Sequence, residues 1–535
     1  MQRSSYSHYV VPVCGFAALL ACSLWLRAPA LENVGFHNED VAGITLNADL
    51  LLRGELPLVD NLEYKAPGSF YVTASVWQWF GRSMHTLQSF ALFMSCLSML
   101  GMFALGALLY GRNAGLMSAG LYCVLSPITD SIDANYGAWM IGPYLWATVF
   151  ALNGVKSGRL RWFLVAGFTL ALAGLLKRQA ALIFPLLVCL PFISQFASWP
   201  NGWAGIARPK KALGAFMGGL AIGFAPILIW YASQGALGQF VGAYFFSESG
   251  WKYVQGQVSW SARFLRIGDG FIGFAMYVAT PALLAVLTAS RLLTVGTQWT
   301  ARGIFLAAFF LLSFVGAALG LRFFKGYYLQ VLPALLLIAV HPNGYIGHWF
   351  TAETWRQPVH KFKRLALLLG SIGILMPAVL HDLEQVQTIR KRRQSPRDAV
   401  AQKIGRHIRN HSKPDDSIWV WGRWAWPVYF HANRPIATDF PKSLGVFTTT
   451  LTNTWRRATK NTAFDPKSPW PELITQLKRD EPKFIVLSHN ENYRKFNGLN
   501  RLLRQRYQPV KGLKTRGFSV YVAKVKSASG KKKGG

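Results

Sequence analysis

The feature that most constrains this chain is a series of long apolar segments separated by short basic loops. A helix needs about 20 apolar residues to cross the hydrocarbon core of a bilayer. The segments of this kind have the approximate bounds 9–28, 85–109, 113–129, 135–154, 160–176, 178–197, 212–232, 268–290, 303–321, 327–342 and 365–381. The sequence therefore predicts a polytopic α-helical membrane protein with about 11 transmembrane helices.

The charge of the chain is strongly positive. Its 57 Lys and Arg residues outweigh 23 Asp and Glu residues, which leaves a net charge of +34. A nucleic-acid-binding protein would carry that charge on a soluble face, whereas much of it here lies in loops between apolar segments. Such loops follow the positive-inside rule and contact anionic lipid headgroups. We therefore expect a multi-pass protein of a bacterial-type plasma (inner) membrane, with a cytoplasmic N-terminus and no nucleic-acid partner.

The pattern changes after the last apolar segment, from which we predict four divisions. They are a transmembrane domain at 1–381, with extracytoplasmic loops at 29–84 and 233–267, a basic connector at 382–412, a small extracytoplasmic α/β domain at 413–525 and a disordered tail at 526–535. The run 69–82 is too short to span and predicts an interfacial helix. In the α/β domain, strands are predicted at SIWVWG, FIVLS and FSVYVAKV, helices at PELITQLKRD and LNRLLRQRY, and a strand or turn at PVYFHANRP.

The stretch 36–70, directly after the first apolar segment, holds six of the 23 acidic residues. They are Glu39, Asp40, Asp49, Glu55, Asp60 and Glu63. Carboxylates concentrated just outside a membrane span indicate chemistry at the lipid–water boundary, although a solvated loop with helix caps has the same composition. Asp40, with Glu39, is a candidate to accept a proton from an acceptor hydroxyl or amine. It is also suited to cap a helix that begins near Val41.

Further charged residues are predicted on the same outer face. They are Lys65, Asp130, Asp133, Lys177, Arg178, Arg322 and Lys325. Cations held at one lipid boundary opposite clustered carboxylates favour a bound pyrophosphate or phosphodiester. Each cation alone is equally explained by a long side chain that reaches from the membrane to the interface.

The order of these motifs resembles the GT-C-fold glycosyltransferases that use polyprenyl-phosphate sugars, the protein-mannosyltransferase and aminoarabinose-transferase group (glycosyltransferase family 39-like). The resemblance covers about residues 9 to 525. Its motifs are Asp40, RGELP, YKAPG, LAGLLKRQAALIFP, RFFKGYYLQVLPAL and VWGRWAWPVYFHANRPIATDF. The chain departs from the pattern in two places, because Gly137 stands where many relatives carry Glu and a Lys-Pro-Pro-like motif is Lys-Ala-Pro.

The resemblance implies a set of site residues. Asp40, beside Glu39, is the implied catalytic carboxylate. The implied donor-phosphate residues are Lys65, Lys177 and Arg322, with Arg178 and Lys325 next to them in the same motifs. The resemblance also implies that the 233–267 loop, with Tyr244, Glu248 and Lys252, caps the site. We further predict acceptor or substrate-loop roles for the outer-face acids Asp60, Glu63, Asp130 and Asp133. A divalent metal ion is a possible cofactor, and the departure at Gly137 leaves metal dependence open.

These observations predict a membrane glycosyltransferase. It would move a sugar from a polyprenyl phosphate to a lipid, glycan or protein acceptor on the extracytoplasmic face, with inversion and with Asp40 as general base. Two alternatives stay open, namely a transporter or flippase of a lipid-linked substrate and a non-catalytic membrane scaffold with a basic surface. The sugar, the acceptor and the lipid length are not determined by the sequence.

Overall fold

A computed structural model describes most of the chain. The described residues are 7–61, 63, 65–129, 131–200, 202–246, 260–294, 300–344, 346, 361–450, 462–513 and 515–524. Within them the fold is a large helical part followed by a smaller part that contains a β-sheet.

Helices dominate the chain up to residue 410. They are α1 (Ser7–Leu31), α2 (Glu39–Leu52), α3 (Gly68–Phe80), α4 (Met84–Tyr110), α5 (Arg112–Leu125), α6 (Tyr136–Trp139), α7 (Ile141–Ser157), α8 (Arg161–Leu176), α9 (Phe184–Phe196), α10 (Pro209–Ser233), α11 (Leu237–Phe245), α12 (Trp260–Thr294), α13 (Ala301–Ala318), α14 (Leu332–Ala339), α15 (Lys361–Arg392) and α16 (Pro396–Asn410). Short 3-10 turns at Arg178–Ile183 and Lys325–Gln330 lead into α9 and α14.

Six helical segments are long and apolar enough to cross a membrane. They are Val13–Leu31, Met84–Tyr110, Arg178–Phe196, Pro209–Ser233, Arg263–Leu293 and Ala301–Ala318. Several other predicted spans form helices that are shorter than a bilayer requires, whereas 365–381 lies within the 32 residues of α15. The clearest case is 327–342, which is a 3-10 turn followed by the eight residues of α14, about 12 Å of helix. The count of about 11 crossings therefore stays a prediction.

The central helices pack closely because small residues face one another. Gly167 on α8 lies against the backbone of Phe216 on α10, and Gly219 on α10 lies against the backbone of Leu164 on α8. A Cβ at either glycine would collide with the opposite main chain. Close approach through small residues is typical of helix pairs in membranes. It fixes α8 and α10 against each other next to the loop that follows α8.

The first loop contains two predicted helices, one at 69–82 and one that begins near Val41. The helix predicted at 69–82 is present as α3. Helix α2 begins at Glu39 because Asn38 has an extended backbone and its side chain accepts a hydrogen bond from the Asp40 amide. Asn38, rather than Asp40, is thus the capping residue, and Asp40 lies in the first helical turn.

The C-terminal part contains a four-stranded sheet with the order β1-β4-β6-β5. The strands are β1 (Ile418–Trp421), β2 (Thr448–Thr450), β3 (Thr462–Phe464), β4 (Phe484–Ser488), β5 (Tyr507–Pro509) and β6 (Phe518–Ala523), and the helices are α17 (Trp426–Ala432), α18 (Trp470–Asp480) and α19 (Asn497–Arg506). β1 and β4 pair in parallel, β4–β6 and β5–β6 are antiparallel, and β2 and β3 form a separate antiparallel pair.

One element prediction in this part is wrong. The run PVYFHANRP is not a strand, because α17 covers most of it with Pro427 in its first turn, and the left-handed Asn433 ends the helix. Proline is well suited to the first turn of a helix. The strands β1, β4 and β6 and the helices α18 and α19 lie where the sequence predicts them.

Helix α17 docks the C-terminal part onto the first loop. The ring of Phe430 packs against Phe36 and Trp77, with centroids 5.2 and 5.8 Å apart. Asp398 on α16 bridges the two parts, since its carboxylate accepts hydrogen bonds from the Phe36 amide (3.0 Å) and lies 2.8 Å from His431 Nε2. The loop after the first helix and the sheet-containing part are therefore held together beside the start of α2.

Candidate active site

Asp40 lies at the meeting point of three chain segments. Its carboxylate is 3.1 Å from Lys65 Nζ, which comes from the loop after α2, and 3.4 Å from the guanidinium of Arg423, which follows β1. The neighbouring Glu39 pairs with Arg397 at 3.4 Å. The Asp40 side chain keeps 34% of its surface exposed. The predicted proximity of Asp40 and Lys65 is therefore present in the structure.

A second ion pair lies beside the first but is sealed from solvent. The Glu63 carboxylate pairs with Lys442 of the C-terminal part, and the two side chains are 1% and 2% exposed. Glu63 also accepts hydrogen bonds from Asn47 Nδ2 (2.8 Å) and the Lys65 amide (3.0 Å). It thus fixes the backbone of Lys65 and the position of the C-terminal part, and it lines neither of the two cavities described below.

A cavity of about 150 Å³ opens in front of Asp40. The residues around it come from α2, the turn before α6, the end of α8, the Lys325 turn and the C-terminal part. They are Asn38, Asp40, Asn135, Tyr136, Gly137, Ala138, Lys177, Phe324, Lys325, Gly326, Tyr327, Leu329 and Arg423. Among them Asp40 supplies a carboxylate, while Lys177, Lys325 and Arg423 supply three positive charges. The cavity is thus built to receive an anion next to one carboxylate.

Aromatic rings hold the ammonium groups at this cavity. Lys177 Nζ lies 4.7 Å from the ring centroid of Tyr327 and 5.8 Å from that of Tyr136. Lys65 Nζ lies 5.3 Å from the Tyr136 centroid. Lys177 ends α8 with an extended backbone, which turns its side chain away from the helix axis. Rings at these distances attract the cations and restrain them without neutralising their charge.

The electrostatics keep Asp40 ionised. Burial alone would raise the pKa of its carboxyl, but Arg423 and Lys65 together hold that pKa well below its ordinary value. The same balance lowers the pKa of Glu63, where Lys442 and Lys65 outweigh burial. Burial lowers the pKa of Lys442 to about 8, although Glu63 opposes this change. Both carboxylates are therefore anionic near neutral pH, and their cationic partners set that state.

A larger cavity of about 550 Å³ adjoins the first and shares Asn38 and Lys325 with it. Its polar lining includes Glu39 and Asp133. Asp133 is held by Gln88, whose Nε2 donates to it at 2.6 Å. The remaining lining residues are His37, Pro127, Ile132, His381, Glu384, Gln385, Thr388 and Ile389. The two cavities are therefore neighbours on either side of Asn38 and Lys325, beside the start of α2.

Several predicted site residues lie away from these cavities. The guanidinium of Arg178 stacks 4.8 Å over the ring of Tyr244 and donates to the Ala243 carbonyl at 3.3 Å. Tyr244 in turn donates to the Gly174 carbonyl at 2.9 Å. Asp60 accepts a hydrogen bond from the Leu56 amide on the exposed surface. Arg178 and Tyr244 therefore tie α11 to the end of α8.

Arg322 is buried but does not line either cavity. Its neighbours Leu321 and Phe323 have left-handed backbones with φ of 52° and 51°. Such conformations are costly for residues with a side chain and persist only where the surroundings impose them. This strained turn carries the chain from α13 to Phe324 and Lys325, which do line the cavity. Asp130, Glu248 and Lys252 lie outside the described residues.

Two cations of the site could not be found from sequence spacing. Arg423 and Lys442 belong to the C-terminal part, and Lys442 is 379 positions from its partner Glu63. The available signal was indirect, because Arg423 lies in the VWGRWAWPVYF motif that carries part of the family resemblance. Only the docking of the C-terminal part onto the first loop brings these side chains to the carboxylates of α2 and its loop.

The residues that line the cavity in front of Asp40 fit a divalent metal ion poorly. Asp40 is shared between Lys65 and Arg423, and Gly137 offers no carboxylate. Within the described residues, no group of three or more His, Cys, Asp or Glu side chains is arranged to hold a metal. The positive lining suits an anion instead.

Comparison with known proteins agrees with this architecture. Residues 64–230 match the family model of dolichyl-phosphate-mannose-protein mannosyltransferases. The fold is similar to that of ArnT from Cupriavidus metallidurans bound to undecaprenyl phosphate, with 14% sequence identity and a TM-score of 0.59 over 98% of this chain and 100% of that one. ArnT in the apo state gives the same TM-score at 15% identity, over 97% of this chain and 98% of that one.

A second enzyme shares the fold. The oligosaccharyltransferase AglB from Archaeoglobus fulgidus, in complex with an inhibitory peptide and a dolichol-phosphate, has a TM-score of 0.56 and 12% identity. The alignment covers 95% of this chain and 73% of that one. No protein of curated function matches the sequence. Together these findings confirm the resemblance to GT-C-fold glycosyltransferases that the sequence predicts.

Proposed function

We propose that this protein is an integral membrane glycosyltransferase that transfers a sugar from a polyprenyl phosphate to an acceptor in the cavity beside Asp40. The observation that carries the proposal is the lining of that cavity, where three cations surround one ionised carboxylate. The GT-C-type fold and the mannosyltransferase family match support the same reaction class.

The cations account for the leaving group. Breaking the bond between the anomeric carbon and the phosphate oxygen transfers an electron pair to the phosphate. Lys177, Lys325 and Arg423 line the space where that charge would develop. Positioned cations in a partly dry site stabilise such charge more strongly than water does. The rings of Tyr136 and Tyr327 restrain Lys177 for this role.

Asp40 accounts for the nucleophile. The acceptor oxygen or nitrogen attacks the anomeric carbon as the phosphate leaves, and its proton passes to the Asp40 carboxylate. A carboxylate held by two cations is a weak base. When the donor phosphate shares Arg423, the pull of that guanidinium on Asp40 falls and the pKa of the carboxyl rises towards its ordinary value. A single displacement of this kind inverts the anomeric carbon.

The larger cavity provides a place for the acceptor. It meets the first cavity at Asn38 and Lys325 and carries Glu39 and Asp133 on its wall. Acidic side chains of this kind can accept hydrogen bonds from the hydroxyl or amino groups of an acceptor. An extracytoplasmic position of both cavities is part of this proposal, and the positive-inside rule applied to the basic loops supports it.

The test is an assay of the purified full-length chain in lipid nanodiscs, with polyprenyl-phosphate sugars as donors and lipid, glycan and peptide acceptors. We expect release of polyprenyl phosphate coupled to glycosylation. The Asp40→Asn variant should lose at least about a hundredfold in turnover, the scale of a lost proton acceptor, while it binds the donor at least as tightly as the wild type because the neutral amide no longer competes with the phosphate for Arg423.

Asp49→Asn is the matched control on the same helix, because Asp49 pairs with Arg82 at 2.6 Å and lines neither cavity. It should keep wild-type turnover. Wild-type turnover by Asp40→Asn would remove Asp40 from the mechanism. Movement of an intact lipid-linked sugar across a vesicle, without release of polyprenyl phosphate, would instead identify a transporter.

A further inference from the structure

A carboxylate in the C-terminal part is buried behind the two cations that reach the site. The Glu491 side chain follows β4 and has no solvent-exposed surface. One of its oxygens accepts a hydrogen bond from the Arg423 amide at 2.7 Å. The other accepts from the hydroxyls of Ser443 at 2.7 Å and Thr448 at 3.1 Å.

These bonds join two separate segments of the C-terminal part. The first segment carries Arg423, and the second carries Lys442 directly before Ser443. Ser443 strengthens the connection, because its hydroxyl also accepts a hydrogen bond from the Gly422 amide at 2.8 Å. The Trp421 indole closes the arrangement by donating to the Glu491 carbonyl at 3.2 Å. Glu491 is thus the centre of a buried polar network in which its oxygens have three donors.

The network lies next to the backbone of two cations that form ion pairs with the first loop region. Arg423 extends from one segment to Asp40, and Lys442 extends from the other to Glu63. A side chain keeps a defined position only if its backbone is fixed, and here the backbone of Arg423 is fixed by Glu491. Supporting interactions of this kind commonly control how well a site is pre-organised.

We propose that Glu491 is a positioning residue that sets Arg423 and Lys442 against Asp40 and Glu63, so that the C-terminal sheet is a working part of the active site. This inference rests on the proposed function for its kinetic consequences. It adds that donor recognition depends on a carboxylate that touches neither substrate.

The experiment compares Glu491→Gln with the wild type. The amide keeps the shape of the side chain but has one acceptor oxygen, so the Arg423 amide keeps its acceptor only if the Ser443 and Thr448 hydroxyls turn to accept hydrogen bonds from the new NH2 group. In either arrangement the negative charge is lost, and the hydrogen bonds at this position become neutral and weaker. We expect the KM for the polyprenyl-phosphate sugar to rise about tenfold, the scale of one lost hydrogen bond to a charged group, with a smaller change in kcat. Hydrogen exchange of the 422–424 and 442–444 amides should become faster.

Asp416→Asn serves as the control for a change in sheet stability alone. Asp416 precedes β1 and pairs with Lys483 at 2.7 Å, and it lines neither cavity. It should lower the melting temperature without changing the KM or the exchange at 422–424. A Glu491→Gln variant with wild-type KM and wild-type exchange would overturn the inference.

The two readouts separate this inference from the proposed function. If the wild type releases no polyprenyl phosphate while Glu491→Gln still accelerates exchange at 422–424 and 442–444, the positioning role holds and the assigned reaction is wrong. If the wild type is active and Glu491→Gln changes only the melting temperature, the reaction holds and Glu491 is merely structural.

Discussion

Two carboxylate–lysine pairs lie side by side in this protein, and they differ in their exposure to solvent. The Asp40–Lys65 pair borders a cavity, and Asp40 keeps a third of its surface exposed. The Glu63–Lys442 pair is almost completely buried. Both pairs join an acidic residue of the first loop region to a cation, and Glu63 also binds the Lys65 amide.

The difference in burial indicates a difference in role. Asp40 faces a cavity that Arg423 also lines, so a bound phosphate can compete with Asp40 for this cation. A buried pair has no such partner, and removing either member leaves a charge without compensation. We therefore assign reactivity to the open pair and assembly of the two parts of the molecule to the sealed pair.

The largest effect on folding is expected from Glu63→Gln, which breaks the sealed pair. It leaves Lys442 buried without a carboxylate, at a cost of about 3–5 kcal/mol in the free energy of unfolding. The melting temperature of the detergent-solubilised protein, followed by tryptophan fluorescence, should fall. Adding Lys442→Met to Glu63→Gln should recover part of the loss, since no unpaired charge remains. An unchanged melting temperature in the single variant would show that the pair does not hold the parts together.

A smaller effect, on donor binding, is expected from Lys177→Gln at the cavity in front of Asp40. The variant removes a cation from the cavity while the neighbouring rings of Tyr136 and Tyr327 remain. The KM for the polyprenyl-phosphate donor should rise about 10- to 100-fold, the scale of a lost charged hydrogen bond, and the melting temperature should stay near that of the wild type. Lys156→Gln, at the exposed end of α7, is the matched control. A wild-type KM for Lys177→Gln would place the phosphate elsewhere.

The smallest effect is expected at Gly137, where the pattern of the resembled family implies a Glu. A Cβ at this position would lie 3.4 Å from Lys177 Nζ and 3.5 Å from Asn135 Oδ1, so Gly137→Ala should fit without strain. Gly137→Glu would place a carboxylate beside Lys177 and weaken its hold on an anion. We expect the donor KM to rise about fivefold or less, the scale of a partly exposed ion pair. A tighter donor complex in Gly137→Glu would show that the missing acid is a defect of this site.

Asp40 and Lys65 could be predicted from the sequence, whereas the contacts of Arg423 and Lys442 could not, and the reason is physical. Asp40 and Lys65 are 25 positions apart and belong to one acid-rich loop region, so their meeting could be expected from local clustering. Arg423 and Lys442 reach the same place only because α17 packs against Phe36 and Trp77. No spacing rule predicts a contact between parts of the chain that are so far apart in sequence.

The same limit applies to the fold. Apolar segments of sufficient length predicted most helices, because the period of a helix is local. The run that forms α17 predicts a strand or turn, since Val428, Tyr429 and Phe430 favour extended structure. Pro427 in the first turn and burial against the first loop favour a helix over a strand at this position. Tertiary packing there outweighs local propensity.

The central claim is that the cavity between Asp40, Lys177 and Arg423 holds the phosphate of the donor. The most direct measurement is a cryo-electron-microscopy map of the protein in nanodiscs with saturating polyprenyl phosphate. We predict phosphate density within hydrogen-bond reach, about 3 Å, of Lys177 Nζ and the Arg423 guanidinium. Well-defined phosphate density at another site, with this cavity filled only by water, would contradict the account.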